Sequence, residues 1–265
     1  MNRRGWVRGW LARFASILVL AALPPTMVVA SLTGAQDAQE LPPVSEVIAA
    51  YVAAIGGQEQ ILSHRSSHAA GRFELPGQGL VGSIDIYAAA PNKLLVTTDF
   101  EGVGRTRTGF DGEVGWATDP MMGPRLLRGK ELEQLRDEAD FYSELHDPAN
   151  FVSMETVAAV EFDSGPSYKV RLVRHSGREF FEYFDRQTGL MVGHQGTQDS
   201  VMGSIEVTSI FADYKEFSGM LVPAKVSQQY GPGQSAVTTL MAVEFDNVPA
   251  DRFEPPAEIK ALLGT

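Results

Sequence analysis

The sequence predicts a mainly β, α+β fold: one large curved antiparallel sheet with helices covering its concave face. Three observations lead there. Short stretches of period-two hydrophobicity recur along most of the chain, separated by Gly, Pro, Asn and Asp turn chemistry. Only two substantial amphipathic helices interrupt them, so strands and helices do not alternate as a parallel α/β sheet requires. A sheet of roughly ten to twelve strands curls, and its inner face must be covered; those two helices are the elements able to cover it.

The first 35 residues read as a secretory signal peptide. Arg3, Arg4, Arg8 and Arg13 form a positive start, Phe14 to Leu23 is apolar, and Pro24-Pro25 breaks the run. Val28-Val29-Ala30 and Thr33-Gly34-Ala35 both offer small residues for cleavage, after Ala35 or after Ala30. The apolar run falls short of the roughly 20 residues that a membrane-spanning helix needs. The alternative is an uncleaved anchor continuing to Ala30, which the adjacent prolines disfavour. A short polar leader, 36–43, follows, and residues 44–265 are expected to form a single domain.

The first helix spans 44–55. Val44, Val47, Ile48, Tyr51, Val52 and Ile55 share one face, Glu46 sits near the start and Gly56-Gly57 stops it. From His64 the period becomes two. Phe73 to Leu75 reaches the turn Pro76-Gly77; Ile84 and Ile86 flank Asp85; Ala90-Pro91-Asn92 and Phe110-Asp111-Gly112 are further turns. The second helix is expected over 129–147. Leu132, Leu135, Ala139, Tyr142 and Leu145 make its apolar stripe, and Asp147-Pro148 ends it. Strands then return, with a hairpin at Asp185 to Gly189. In the last long strand Val237, Thr239, Met241, Val243 and Phe245 share one parity. A helical tail, 256–263, closes the chain.

The whole chain carries 22 basic and 33 acidic residues, a net charge of −11. Removing the four signal arginines leaves 18 against 33, a net −15. Such a polyanion is unsuited to nucleic acid or to an anionic membrane surface, where phosphates must be neutralised. There is no cysteine, which excludes a disulfide scaffold, a thiol nucleophile and lipidation at an N-terminal cysteine.

Catalytic motifs are absent. There is no Gly-x-Ser-x-Gly elbow, no phosphate-cradling loop and no dinucleotide fingerprint. His64 and His68 are four apart, but the second lies at the start of a strand, where that spacing spans about 13 Å. No metal or other cofactor is therefore expected. His146, His175 and His194 read as solvated, and the acidic face of the second helix reads as a wet surface. Trp116 ends a strand, and Met121 and Met122 follow in a loop whose adaptable thioethers suit contact with flexible chains or plain core filling.

The helix ending in Ile55-Gly56-Gly57, the turns Ala90-Pro91-Asn92-Lys93 and Phe110-Asp111-Gly112, the hairpin Tyr183 to Leu190 and the segment Tyr214 to Pro223 together resemble the outer-membrane lipoprotein-sorting superfamily, the LolA/LolB-like periplasmic carriers. The likeness covers most of residues 44–256. It implies an unclosed β-barrel, LolA-like, that shields acyl chains in a hydrophobic cavity. The expected function is accordingly a non-enzymatic periplasmic carrier or sensor of lipid or lipoprotein acyl chains, soluble after signal cleavage and serving outer membrane biogenesis. Expected lipid contacts are Ile84, Ile86, Trp116, Met121, Met122, Leu132, Leu135 and Tyr142. The competing readings are an envelope protein-interaction module with a filled core, bound to other cell-envelope proteins, and a hydrolase, which would need carboxylates and histidines converging in a pocket.

Overall fold

A computed structural model describes residues 40–200, 203–231 and 233–264. The expected signal peptide and its cleavage points lie outside them. Among the described residues, thirteen strands form one sheet: β1 Ser66–Leu75, β2 Leu80–Ala89, β3 Lys93–Phe100, β4 Gly104–Phe110, β5 Gly115–Asp119, β6 Gly123–Leu126, β7 Phe151–Phe162, β8 Gly165–Arg174, β9 Glu179–Asp185, β10 Met191–Ser200, β11 Gly203–Phe217, β12 Met220–Tyr230 and β13 Ser235–Phe245. Their spatial order is β6-β5-β4-β3-β2-β1-β13-β12-β11-β10-β9-β8-β7. The chain starts in the middle with β1, meanders out to β6, crosses to β7 at the far edge and returns strand by strand until β13 pairs antiparallel with β1. Only the β6–β7 pairing is missing, so the barrel is unclosed, and the segment between those strands spans the seam.

Helix α1, Val44–Ala54, buries Val47, Ile48 and Tyr51. It stops where Gly56 takes φ 128°, a backbone open to glycine. A side chain there would also press within 2.6 Å of the Gly219 carbonyl oxygen. Helix α2, Gly57–Ser63, follows at once. At the opposite end of the chain, helix α4, Ala257–Leu263, packs Ile259 outside the barrel with Phe253, Leu95 and Trp116. Trp116 lies directly over Gly109 on the neighbouring strand, where a Cβ would collide with the indole. Gly109→Val is expected to cost about 1–3 kcal/mol through overpacking, read as a shift of the urea midpoint; an unchanged midpoint would mean that the indole moves aside freely.

Two expectations need correction. The helix expected over 129–147 ends at Glu138, as α3, Gly129–Glu138. The Phe141 N–H donates instead to the Pro91 carbonyl in the β2–β3 turn, and Asp140 accepts from the Tyr142 N–H. The chain continues as 3-10 turns at Ser143–Leu145 and Pro148–Asn150. The expected stripe still faces inward through buried Leu135, Ala139 and Tyr142. In β13, the residues facing the core are Ala236, Thr238 and Leu240, and then Val243. The register with β1 slips between Ala70 and Gly71, leaving Met241 as the extra residue, 70 % exposed. A bulge of this kind resets strand parity.

Where β13 ends, Asp246 accepts from the backbone N–H groups of Arg65 and Ser66 and pairs with His64 at 2.8 Å. Burial pulls its carboxyl upward, but these bonds outweigh burial and hold it below the usual range. The associated stability is therefore present above the unfolded carboxylate value, about 3.9, and is lost as pH falls through the lower folded value. The carboxylate is 44 % exposed, so the effect is screened to below about 1 kcal/mol. Acid titrations of unfolding should be flatter in Asp246→Asn than in the parent; identical titration curves would remove this assignment.

Candidate binding site

The concave side is one continuous apolar core. Helix α1 contributes Val47, Ile48 and Tyr51, α3 contributes Leu135, and the seam-spanning segment contributes Ala139, Phe141 and Tyr142. The sheet meets them with Ile84, Ile86, Leu94, Phe110, Leu172, Phe184 and Met191, among others. Side chains at alternate positions of each strand supply this face, as the pleat requires.

A polar row crosses the apolar surface. Glu182 on β9 stands opposite His194 on β10, His194 opposite Ser209 on β11, and Ser209 opposite Gln228 on β12. Gln228 donates to Ser209 at 3.1 Å and accepts from the Tyr230 hydroxyl at 2.6 Å. Glu182 pairs with His146 Nε2 at 2.5 Å, and both side chains are fully buried. His146 had read as solvated; it is instead a core residue, held in the left-handed region at φ 48°. Its Nδ1 faces the Glu144 carbonyl oxygen at 3.0 Å. A carbonyl only accepts, so Nδ1 carries a proton and donates it. The neighbouring Glu144 side chain accepts from the Tyr51 hydroxyl. These bonds stitch α1, the seam-spanning segment and β9 together.

The tyrosines of this region are held neutral. Burial, then the nearby Glu144 charge, pushes the Tyr51 hydroxyl well above its ordinary value. Burial and the charges of Glu144 and Glu182 do the same to Tyr214, which donates to the Met191 carbonyl at 2.6 Å. A histidine and two carboxylates thus do converge, but His146, Glu144 and Glu182 are buried within the core. Among the described residues no group of three or more His, Asp or Glu side chains is placed to hold a metal ion.

The structure places the eight expected lipid contacts in three locations. Ile84, Ile86, Leu135 and Tyr142 lie in the concave core, with Leu132 packed against it. Trp116 belongs to a second cluster on the convex face, under Phe253 and Ile259. Met121 and Met122 form the tip of the β5–β6 hairpin, 85 % and 51 % exposed, their N–H groups bound by Asp119. Exposed Val103 occupies the adjacent β3–β4 tip, next to Gly104, which abuts Pro120. The polar row was not expected from the sequence. One signal was present: Glu182 shares its parity with Phe180 and Phe184, so an acid stands between two core aromatics.

A cavity of about 440 Å³ with a mixed polar and apolar lining opens over the seam. Its walls come from both wings of the sheet and from the segment between them: Pro91 and Asn92 of the β2–β3 turn, Arg136, Asp137 and Asp140 around the end of α3, Ala149 and Asn150 before β7, and Arg174 to Ser176 between β8 and β9. Tyr142, a core residue, also lines it.

No protein-family profile matches the sequence, and no curated protein is significantly similar to it. Solved structures do match. A DUF1329 family protein from Desulfovibrio piger is similar with a TM-score of 0.56 at 12 % identity, over 81 % of this chain and 98 % of that one. A LolA superfamily protein from Nitrosomonas europaea is similar with a TM-score of 0.55 at 12 % identity, over 81 % and 99 %. The fold, an unclosed half-barrel, is therefore shared with these two proteins. Identity this low defines the architecture and leaves the ligand to be argued from the site.

Proposed function

We propose that the protein is a non-enzymatic periplasmic carrier or sensor of lipid or lipoprotein acyl chains, which lie against the concave face beneath α1. The carrying observation is an unclosed barrel whose inner surface is apolar and is covered by a helix rather than by further strands. Ile84, Ile86, Leu132, Leu135 and Tyr142 are the proposed chain contacts, and the exposed Met121–Met122 tip is proposed to meet the donor or acceptor surface. Each buried methylene contributes about 0.8 kcal/mol, so half a dozen suffice for useful affinity without polar recognition. Native mass spectrometry of protein purified from the envelope is expected to show bound lipid, and a fluorescent fatty acid is expected to bind and be displaced by it. Neither bound lipid nor fatty-acid binding would overturn the proposal.

A second reading is favoured by a different observation. Strand β7 is a twelve-residue edge that no strand pairs on its outer side, though α1 packs against it, whereas the other edge, β6, is short, carries Pro124 and is packed by α4. Long bare edges accept an added strand. An envelope protein-interaction module would give a stable complex that Val157→Pro in β7 abolishes, with no lipid bound.

A further inference from the structure

We propose that the floor of the half-barrel carries a recognition point for a carbonyl oxygen, so that the ligand of the concave face is an acyl ester or amide. This rests on the acyl-chain reading and deepens it by naming the chain's linkage. Three neighbouring side chains on β11, β12 and β13 form the point. Ser209 stands opposite Gln228 on the next strand, and Gln228 opposite Ala236 on the one after. Thr238 lies two residues beyond Ala236 on the same face, so it sits diagonally from Gln228, about 7 Å away. Val226, Ala236 and Leu240 beside them belong to the apolar core. In the sheet order β13 borders β1, so this group adjoins the wing that bears Ile84 and Ile86.

Gln228 gives one amide proton to Ser209 at 3.1 Å, and its oxygen accepts from the Tyr230 hydroxyl at 2.6 Å. Among the described residues its second amide proton meets no acceptor, and the Ser209 hydroxyl proton is likewise unused. Thr238 Oγ1 has no hydrogen-bond partner among the described residues, although the residue is 1 % exposed. Gln228 and Ser209 are nearly as deeply buried, at 2 % and 5 %. A buried donor without an acceptor bears its desolvation cost in full, so an acceptor arriving with the ligand relieves it. A carbonyl oxygen is the complement. It has two lone pairs and no proton of its own, whereas a ligand hydroxyl would add a proton to a surplus. A free carboxylate would bring an unpaired charge into a row whose own acid, Glu182, is already matched by His146.

Two lysolipids that differ only in that oxygen test this on the whole protein: lauroyl lysophosphatidylcholine, an ester, and its dodecyl ether analogue, both below their micelle concentrations. Measured by displacement of a bound fluorescent fatty acid, the ester is expected to bind at least about fivefold more tightly, the ratio that one added hydrogen bond supplies. Thr238→Val, close in volume but without the hydroxyl, is expected to remove that preference and leave ether binding unchanged. N-lauroyl-glycinamide separates the two sources of the carbonyl: binding tighter than the ester's supports an amide-linked chain, and weaker binding supports a lipid ester. Thermal melts of the lipid-free protein read the same hydroxyl independently. With no bond to lose, Thr238→Val should melt no lower than the parent; a lower melting temperature would show that the hydroxyl is bonded within the fold and overturn the proposal. Equal affinity for ester and ether, or a preference that survives Thr238→Val, overturns it and leaves the carrier reading standing. If neither lysolipid displaces the fatty acid, both readings fall.

Discussion

Glu182→Ala is expected to destabilise the protein by about 3–5 kcal/mol. The residue is completely buried and lies 2.5 Å from His146 Nε2. Removing it strands that ring nitrogen in the core, where an unmatched polar group bears its full desolvation cost. For a chain of this size each kcal/mol moves the melting temperature by about 2–4 °C, so a fall of roughly 10 °C should be visible in a thermal melt. His146→Ala should produce a loss of similar size for the reciprocal reason. The informative companion is Glu182→Met with His146→Leu. A well-packed apolar pair can replace a buried polar pair at little cost or with a gain. If the double variant is as unstable as either single one, the row serves the fold through bonds other than this pair. If it is stable but differs from the parent in fluorescent fatty-acid binding, the polar row serves the proposed function rather than the fold.

Tyr51→Ala is expected to cost about 3–5 kcal/mol, the range for deleting a buried aromatic ring, and to free α1 from the concave face. The ring is 1 % exposed, stands edge-on to Phe184 at 5.4 Å and to His146 at 5.8 Å, and donates its hydroxyl to Glu144. It is the point at which α1 joins the polar row. Tyr51→Phe keeps the ring and loses only the hydrogen bond, so a smaller loss of about 1–3 kcal/mol is expected. Hydrogen exchange separates the two effects: the amides of α1 should lose protection in both variants, while those of β9 to β12 should lose it only when the ring is gone. Equal loss across helix and sheet would show that α1 does not open as a separate unit. A helix that opens alone is what the proposed role of α1 as a cover requires.

How much was legible follows from what local sequence encodes. Helix α1 was readable because its apolar spacing, Glu46 and the Gly56-Gly57 stop all agree. The hairpin at Asp185 was readable because its turn is built from its own residues: Asp185 accepts from the N–H groups of Gln187 and Thr188 and from the Thr188 hydroxyl. The over-long second helix shows the limit. Its stripe continued past Glu138, but the N–H of Phe141 was taken by Pro91, fifty residues earlier, a competitor that no local window contains. Strand β7 gives no alternation because its register slips twice against β8, so its side chains do not keep to two faces.

The candidate site divides in the same way. Periodicity placed Ile84, Ile86, Leu132 and Leu135 toward the core, since facing a core is a property of each strand or helix by itself; Tyr142 reaches the core from beyond the end of α3. The row Glu182–His194–Ser209–Gln228 was not, because it is made by register across four strands and each member alone resembles an ordinary polar residue. Trp116 shows the same limit: parity places it on one side of β5, and only the docking of Phe253 and Ile259 decides that this side is the convex one. By itself the sequence determined a curved antiparallel sheet with an amphipathic helix to cover it, since period and turn chemistry are local. Tertiary structure alone decided which strands meet at the seam, which charges converge above it and which polar groups are buried, because each of these depends on residues brought together from distant parts of the chain.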